Sequence, residues 1–249
     1  MKQLVLTLTV IVSMVILFAC SAQNNMTLNY TANTVRTGGH SAYAPVAQNL
    51  TNKNDNRGML SGTTIVVDAG HGGFDAGAQG IVSKRAESDI NLEIAEKLKD
   101  DLTMEGALVV MTREDKNAIA PSKDADMKKR EDIISKTNPN IMISIHQNMY
   151  EDSAVYGPQV FYLKEGSTAE NLAKTVQKSL NDALDIQKTR KAMSGDYSVL
   201  KPGTGPSIIV ECGFLSNPKE DKLLQTDKYQ NTIVGAIMDG VIEFVQSKN

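Results

Sequence analysis

The chain has 249 residues, enough for one large α/β domain and additional segments. Hydrophobic residues make up 41% and charged residues 22%, as in ordinary globular proteins. The net charge is −3, the acidic excess lies in residues 61–249, and no long basic run is present, so this composition argues against a nucleic-acid partner.

The first 22 residues are typical of a signal peptide or membrane anchor. Lys2 precedes the uncharged, mostly apolar residues 4–20, which would form a helix roughly 25 Å long. Residues 17–20 (LFAC) resemble a bacterial lipobox, in which the cysteine, here Cys20, becomes lipidated. Cleavage after Ala22 by an ordinary signal peptidase and retention as an uncleaved anchor are the alternatives. All three interpretations predict an exported domain.

Residues 23–61 are predicted to be a flexible linker, and residues 62–249 a single catalytic domain. The linker is rich in Asn, Thr, Ala and Gly and holds no regular period, and we interpret its His40 as a solvated residue. Cys212, flanked by apolar residues, is predicted to be a small buried side chain.

The domain alternates strand and helix patterns. Strands are predicted at 64–68, 108–112, 140–145, 158–163, 197–201 and 207–212. Apolar stripes at helical spacing predict three helices. The stripes are Ile90, Ile94, Leu98 and Leu102 in the first, Leu172, Val176 and Leu180 in the second, and Ile233, Ile237, Val241 and Val245 in the third. A shorter helix is predicted around residues 126–136, ending before Asn138-Pro139. This order predicts a single α/β domain with about six strands in a mixed sheet and helices on both faces.

Two histidines follow predicted strands directly. His71 lies in a glycine-rich turn after the first strand, and His146 follows the apolar residues 141–143. Because the carboxyl ends of parallel strands meet at one edge of a sheet, the two imidazoles are expected to form part of a metal site. A zinc hydrolase needs a third protein ligand and one open position for water. Glu87, just before a helical stripe, is a candidate ligand, although a carboxylate there also complements the helix dipole.

Glu211 follows a run of apolar residues that all look buried. An ionised glutamate is rarely buried without a partner, so Glu211 either pairs with a cation, such as Arg113 or Arg130, or serves as an acid and base. Beside a metal site it could accept a proton from the attacking water and pass it to the leaving amine.

Four blocks of the chain, residues 65–73, 87–92, 144–148 and 210–218, resemble in order and spacing the zinc-dependent N-acetylmuramoyl-L-alanine amidases with a type 3 catalytic domain. The resemblance covers about residues 63–247. It implies a zinc exopeptidase-like fold, one Zn²⁺ per chain held by His71, Glu87 and His146, and Glu211 as the catalytic residue. Gln147 stands where Ala or Leu is common in that family. The loops 74–86, 114–126 and 147–158 are long enough to hold a stem peptide.

Within the family the chain is most similar to germination-specific amidases of endospore formers, on residues 128–132, 157–162 and 189–192. This implies cleavage of the bond between N-acetylmuramic acid and L-alanine in spore-cortex peptidoglycan, on the path to muramic-δ-lactam. It also implies a downstream deacetylase and an accessory protein as partners, and membrane contact through the N-terminus only. The alternatives are a vegetative amidase, a zinc exopeptidase and an inactive wall-binding lipoprotein.

Overall fold

The computed structural model describes residues 58–186 and 189–248, which form an α/β domain. Its strands are β1 (Thr64–Ala69), β2 (Leu108–Met111), β3 (Ile141–Asn148), β4 (Gln159–Tyr162), β5 (Met193–Ser194) and β6 (Ser207–Phe214). Its helices are α1 (Glu87–Met104), α2 (Lys123–Thr137), α3 (Thr168–Ala183), α4 (Pro218–Leu224) and α5 (Asp227–Gln246), with a short 3₁₀ helix at Ser198–Leu200.

The six strands form one mixed sheet in the order β2-β1-β3-β6-β4-β5. β2, β1, β3 and β6 run parallel to one another, whereas β4 is antiparallel to β6. The register places Asp68 beside Ser144 and His146 beside Glu211. The carboxyl ends of the parallel strands therefore meet at one edge and bring their polar residues together.

Each face of the sheet carries its own apolar core, because successive strand residues point to opposite faces. The larger core joins alternate strand residues, such as Ile65 and Val67, to the apolar stripes of α1, α3 and α5. The smaller core joins Val66 and Met142 to Ile134 of α2. The predicted mixed sheet with helices on both faces is confirmed, and Cys212 is fully buried in the larger core.

The predicted strand at 197–201 is wrong. Ser198–Leu200 is a 3₁₀ helix, and β5 lies earlier, at Met193–Ser194. Val199 and Leu200 both pack in the smaller core. A strand would point two adjacent residues to opposite faces of the sheet, so the tighter 3₁₀ turn is what buries both on one side.

Helix α2 begins at Lys123 because Ser122 caps it, its side chain accepting a hydrogen bond from the Ala125 backbone N–H. It ends before Asn138-Pro139, as the sequence predicted, and Asn138 takes a left-handed conformation, but it starts three residues before the predicted residue 126. The cap places Lys123 at the end of α2 that lies near the carboxyl edge of β1.

The described chain enters the domain at the amino end of β1. Leu60 is fully buried in the larger core, and its backbone N–H donates to the carbonyl of Glu105 after α1. The core thus includes a residue of the predicted linker, which was placed at 23–61. No helix among residues 58–186 and 189–248 has the length and apolar character to cross a bilayer. The predicted anchor and His40 lie outside the described residues.

Candidate metal centre and active site

The structure brings His71, Glu87 and His146 together at the carboxyl edge of the sheet. His71 follows β1, Glu87 is the first residue of α1, and His146 lies in β3. One potential ligand atom from each lies within 4.8 Å of the others. The Glu87 Oε1 atom is 2.9 Å from Nδ1 of His146 and 3.4 Å from Nε2 of His71. Two imidazole nitrogens and a carboxylate oxygen are a donor set that suits zinc.

Two glycines allow this close approach. A Cβ atom at Gly70 would lie 2.2 Å from the His146 ring. At Gly77, which has a positive φ of 67°, a Cβ atom would lie 2.5 Å from a carboxylate oxygen of Glu87. Any side chain at either position would collide with the cluster, so the glycine-rich sequence is a packing requirement of the site as well as a turn signal.

His71 itself has a left-handed backbone conformation, with φ of 60°. Such a conformation is uncommon for a residue with a side chain and persists where its surroundings hold it. Its Nδ1 atom lies 2.9 Å from the Asp75 carboxylate, which directs Nε2 toward Glu87. Asp75 therefore fixes the orientation of the imidazole ring, in the way that carboxylates orient metal-binding histidines.

Two buried arginines hold the backbone of this turn. Arg130 donates to the carbonyls of Ala69 and His71, at 2.7 Å each. Arg113 donates to the carbonyls of Ala69 and Gly70, at 2.8 and 3.0 Å. Four hydrogen bonds from charged donors thus converge on three consecutive carbonyls and stabilise the turn that presents His71.

The carboxylate of Glu87 is surrounded by donors. It accepts hydrogen bonds from the backbone N–H groups of Ala78 and Gln147, at 2.9 and 3.1 Å. The Asn91 amide, one helical turn later, donates to Glu87 Oε1 and to the Gly70 carbonyl. The Gln147 amide donates in turn to the Asn91 oxygen at 3.2 Å, which fixes the direction of the Asn91 amide. The Gln147 side chain thus adds a hydrogen bond behind the cluster.

Electrostatics favour an anionic Glu87 between cationic partners. Burial raises the pKa of Glu87, but hydrogen bonds and charges from His146 and His71 outweigh it and hold that pKa far below its usual range. Burial lowers the pKa of His71, but Glu87 and Asp75 raise it to about 9. Burial likewise lowers the pKa of His146, which Glu87 and Glu211 raise. A bound cation would take the place of these imidazole protons, so metal binding would release them.

Glu211 lies on β6 beside His146 and is not paired with either arginine that the sequence offered. Arg130 binds Asp68 and Asp126, and Arg113 donates to backbone carbonyls. Among the described residues, the buried Oε2 atom of Glu211 has no hydrogen-bond partner. Burial, with the charge of Glu87 added to it, raises the pKa of Glu211 to about 7, although the two histidines oppose the shift. A carboxyl group with this pKa can accept and return a proton near neutral pH.

A cavity opens beside His71 and His146. Its walls include Phe74 and Asp75 from the first predicted substrate loop and Lys123 from the second. Met127 and Val199 give it an apolar side. Because His71 and His146 line this cavity, a group bound in it would lie next to two of the three potential metal ligands.

Comparison with known proteins identifies the family. The sequence profile described as "N-acetylmuramoyl-L-alanine amidase" (Amidase_3) matches residues 65–243. The chain belongs to this family. It is 37% identical over 199 residues to the "Germination-specific N-acetylmuramoyl-L-alanine amidase" of Bacillus subtilis (strain 168), covering 76% of this chain and 82% of that protein.

Solved structures agree with this family membership. The CwlD amidase of Clostridioides difficile, in complex with the GerS lipoprotein, is 38% identical and has a TM-score of 0.71, covering 74% of this chain and 99% of that one. An N-acetylmuramoyl-L-alanine amidase of Clostridium difficile 630 is 30% identical with a TM-score of 0.69, covering 76% and 100%. The family model, these solved structures and the observed α/β fold therefore point to one class of hydrolase, the N-acetylmuramoyl-L-alanine amidases.

Sequence reasoning named the four residues that the structure brings together here, but missed those that support them. Asp75 and Asn91 were not predicted, and Arg113 and Arg130 were considered only as partners of Glu211. A signal did exist for two of them. Asp75 lies four residues after His71 in the same turn, and Asn91 lies four residues after Glu87, on the same face of α1.

Proposed function

We propose that this protein is a zinc-dependent N-acetylmuramoyl-L-alanine amidase of spore-cortex peptidoglycan. It would hydrolyse the amide that joins the lactyl group of N-acetylmuramic acid to L-alanine. One observation carries the proposal: a three-donor cluster of His71, Glu87 and His146 lies beside Glu211, whose buried oxygen has no partner among the described residues.

The chemistry divides between the cluster and Glu211. His71, Glu87 and His146 would hold one zinc ion, which when bound supplies Lewis-acid activation of water and of the substrate carbonyl. Glu211, with a pKa near 7, would hold the proton that leaves the attacking water and deliver it to the nitrogen of L-alanine. Asp75 and Asn91 would keep His71 and Glu87 oriented.

The spore role rests on the relatives. The Bacillus subtilis relative is named germination-specific, and the CwlD structure contains a lipoprotein partner. We infer that this chain acts on cortex peptidoglycan, that an accessory lipoprotein of this kind binds it, and that a deacetylase acts on its product. A vegetative cell-wall role is the second candidate, since the chain is also 30% identical to a probable cell wall amidase of Staphylococcus aureus, covering 64% of that protein.

Digestion of purified cortex peptidoglycan tests the activity. We expect the zinc-loaded protein to release stem peptides with a free L-alanine amino group, detected by mass analysis, and the His146→Ala variant to release none. A panel of ordinary di- and tripeptides is the specificity control. Cleavage of those peptides without release of stem peptides would identify a zinc exopeptidase instead.

Export through the N-terminal segment is part of the proposal. The lipobox-like residues 17–20 support a lipid anchor on Cys20, whereas residues 4–20 could also remain as an uncleaved helix. Cys20→Ala should release the protein from membranes or block its processing if the cysteine is lipidated. Unchanged mass and unchanged membrane association in Cys20→Ala would favour the helix. Either anchor would tether the domain outside the membrane, facing peptidoglycan.

A further inference from the structure

The cavity beside the metal cluster contains three carboxylates that are already satisfied. Asp68 accepts hydrogen bonds from Thr112, Ser144 and Arg130, each 2.6 to 2.8 Å long. Asp126 accepts from the Ile119 backbone N–H and from Arg130. The third, Asp75, binds Nδ1 of His71 and accepts from the Gly77 backbone N–H. Each of these carboxylates thus already has hydrogen-bond donors within the fold and needs none from a ligand.

The two permanent cations of the same cavity differ sharply. Arg130 uses its guanidinium on Asp68, Asp126 and two backbone carbonyls, and its side chain is 3% exposed. Lys123 has one ion-pair contact among the described residues, 3.6 Å from Asp75 Oδ2, and its side chain is 73% exposed. Such a long and exposed ion pair contributes little, so the ammonium can turn to a ligand at small cost.

The chemistry of the substrate restricts what this ammonium can meet. In the proposed substrate the carboxyl group of muramic acid is consumed in the scissile amide, and the acetylated sugars are neutral. The stem peptide therefore carries the negative charges, as free carboxylates. We propose that Lys123 binds a stem-peptide carboxylate and selects anionic over amidated peptides. This proposal rests on the proposed amidase function and adds to it the residue that selects substrates by the charge of the stem peptide.

The position of Lys123 fits this role. It is the first residue of α2, held there by the Ser122 cap, and it lines the same cavity as His71 and His146. Phe74, which is 55% exposed, and Met127 provide apolar surface next to it. A peptide that extends from the metal cluster would meet apolar contact and a single available ammonium in the same cavity.

A substrate pair isolates the charge. The substrates are N-acetylmuramyl-L-alanyl-D-glutamate and the same compound with both glutamate carboxylates converted to amides. Lys123→Gln should lower kcat/KM for the diacid roughly tenfold, the size of a charge-assisted hydrogen bond, and change kcat/KM for the diamide less than about twofold. Lys123→Glu should reverse the preference. Zinc content should be the same in all variants because Lys123 is not a ligand.

Lys128→Gln is the matched control, since Lys128 is an exposed lysine of the same helix outside the cavity and the substitution removes the same charge. Lys128→Gln should leave kcat/KM unchanged for both substrates. Equal losses on diacid and diamide in Lys123→Gln, or no loss on either, would overturn the proposal. If the unmodified protein cleaves neither compound, the proposed function fails separately. Calorimetric titration with L-alanyl-D-glutamate and its diamide then decides: tighter diacid binding that Lys123→Gln removes supports the role, and equal binding overturns it.

Discussion

Two buried carboxylates on the same face of the sheet, Asp68 and Glu211, have opposite surroundings. Asp68 receives hydrogen bonds from Thr112, Ser144 and Arg130, which outweigh the effect of burial and hold its pKa below the usual range. The Oε2 atom of Glu211 has no hydrogen-bond partner in the described part of the chain, and burial raises its pKa to about 7. The residues lie on strands β1 and β6, separated only by β3.

The same sheet thus uses one carboxylate for structural support and offers another for proton transfer. A carboxylate with a full set of donors is locked in its charged form and contributes rigidity. A carboxylate without donors, next to a cluster of metal-ligand type, keeps its proton affinity near neutral pH and can exchange that proton. Substitution of Asp68 should therefore reduce stability, and substitution of Glu211 should reduce activity.

The largest effect is expected from the metal cluster itself. His146→Ala leaves two protein donors, so we expect zinc content to fall from one ion per chain to nearly none at micromolar zinc, with loss of amidase activity. Metal analysis after gel filtration measures this. His40→Ala is the control, because His40 belongs to the predicted linker. Full zinc occupancy in His146→Ala would remove this residue from the ligand set.

Glu211→Gln should separate catalysis from binding. The amide keeps the shape of the side chain but cannot accept the proton, so kcat should fall by at least about 100-fold while zinc content stays the same. Steady-state kinetics and metal analysis on one preparation give both values. Loss of zinc in this variant would make Glu211 a ligand, and activity like that of the parent would make it a structural charge.

Asp68→Asn should mainly lower the stability of the domain, whereas Glu211→Gln should mainly lower its activity. Asp68→Asn removes the charge of one of the two buried carboxylates that bind Arg130, the other being Asp126, which we expect to lower the free energy of unfolding by about 2 kcal/mol. Glu211→Gln removes a charge that has no donor at Oε2 and should not destabilise the domain. Chemical denaturation of the two zinc-free variants compares them directly. Equal stabilities would erase the distinction between the two carboxylates.

The parent and Asp68→Asn also allow a test by pH. Because the folded-state pKa of Asp68 lies below the unfolded value of 3.8, its contribution is present above that pH and is lost as the pH falls through the folded-state pKa. The parent should therefore lose stability on acidification below about pH 4, and Asp68→Asn should lack this component of the loss. Denaturation midpoints measured from about pH 6 down to about pH 2 would reveal it.

A smaller effect is expected from Asp75, which contacts a proposed ligand rather than the metal. Asp75→Ala should weaken zinc binding about tenfold by freeing the His71 ring, whereas Asp75→Asn, which retains an acceptor, should weaken it less. Competition with a fluorescent chelator measures both affinities. Asp89→Asn is a suitable control, since Asp89 pairs with Lys116. Equal affinity in Asp75→Ala and the parent would exclude a role in orienting His71.

The sequence predicted the elements that depend on local pattern. β-branched runs located β1, β3 and β6, and four-residue apolar spacing located α1, α3 and α5. Because parallel strands share one edge, His71 and His146, which follow predicted strands, were expected to converge, whereas Glu211 was singled out by its apolar neighbours. Glu87 was ambiguous from the residues alone, since a helix start explains a carboxylate equally well, and the resemblance to the amidases favoured its role as a ligand.

What the sequence did not predict depends on packing between distant residues. The 3₁₀ helix at Ser198–Leu200 looks like a strand because a short apolar run has no distinguishing period. The contacts of Arg130 with residues about sixty positions away cannot be derived from spacing. The sequence also could not show that Asp68 would receive several hydrogen bonds while Oε2 of Glu211 receives none from the described residues. That difference depends on which side chains the neighbouring strands and helices supply.

The described chain enters the domain at the end of β1 that lies opposite to the candidate active site. Residues 58–63 join β1 at its amino end, beside the turn that follows α1, whereas His71 follows the other end of the strand. Six strand residues separate the two ends, a distance of roughly 20 Å. Gly58, the first described residue, therefore lies toward the end of β1 opposite to the one that His71 follows.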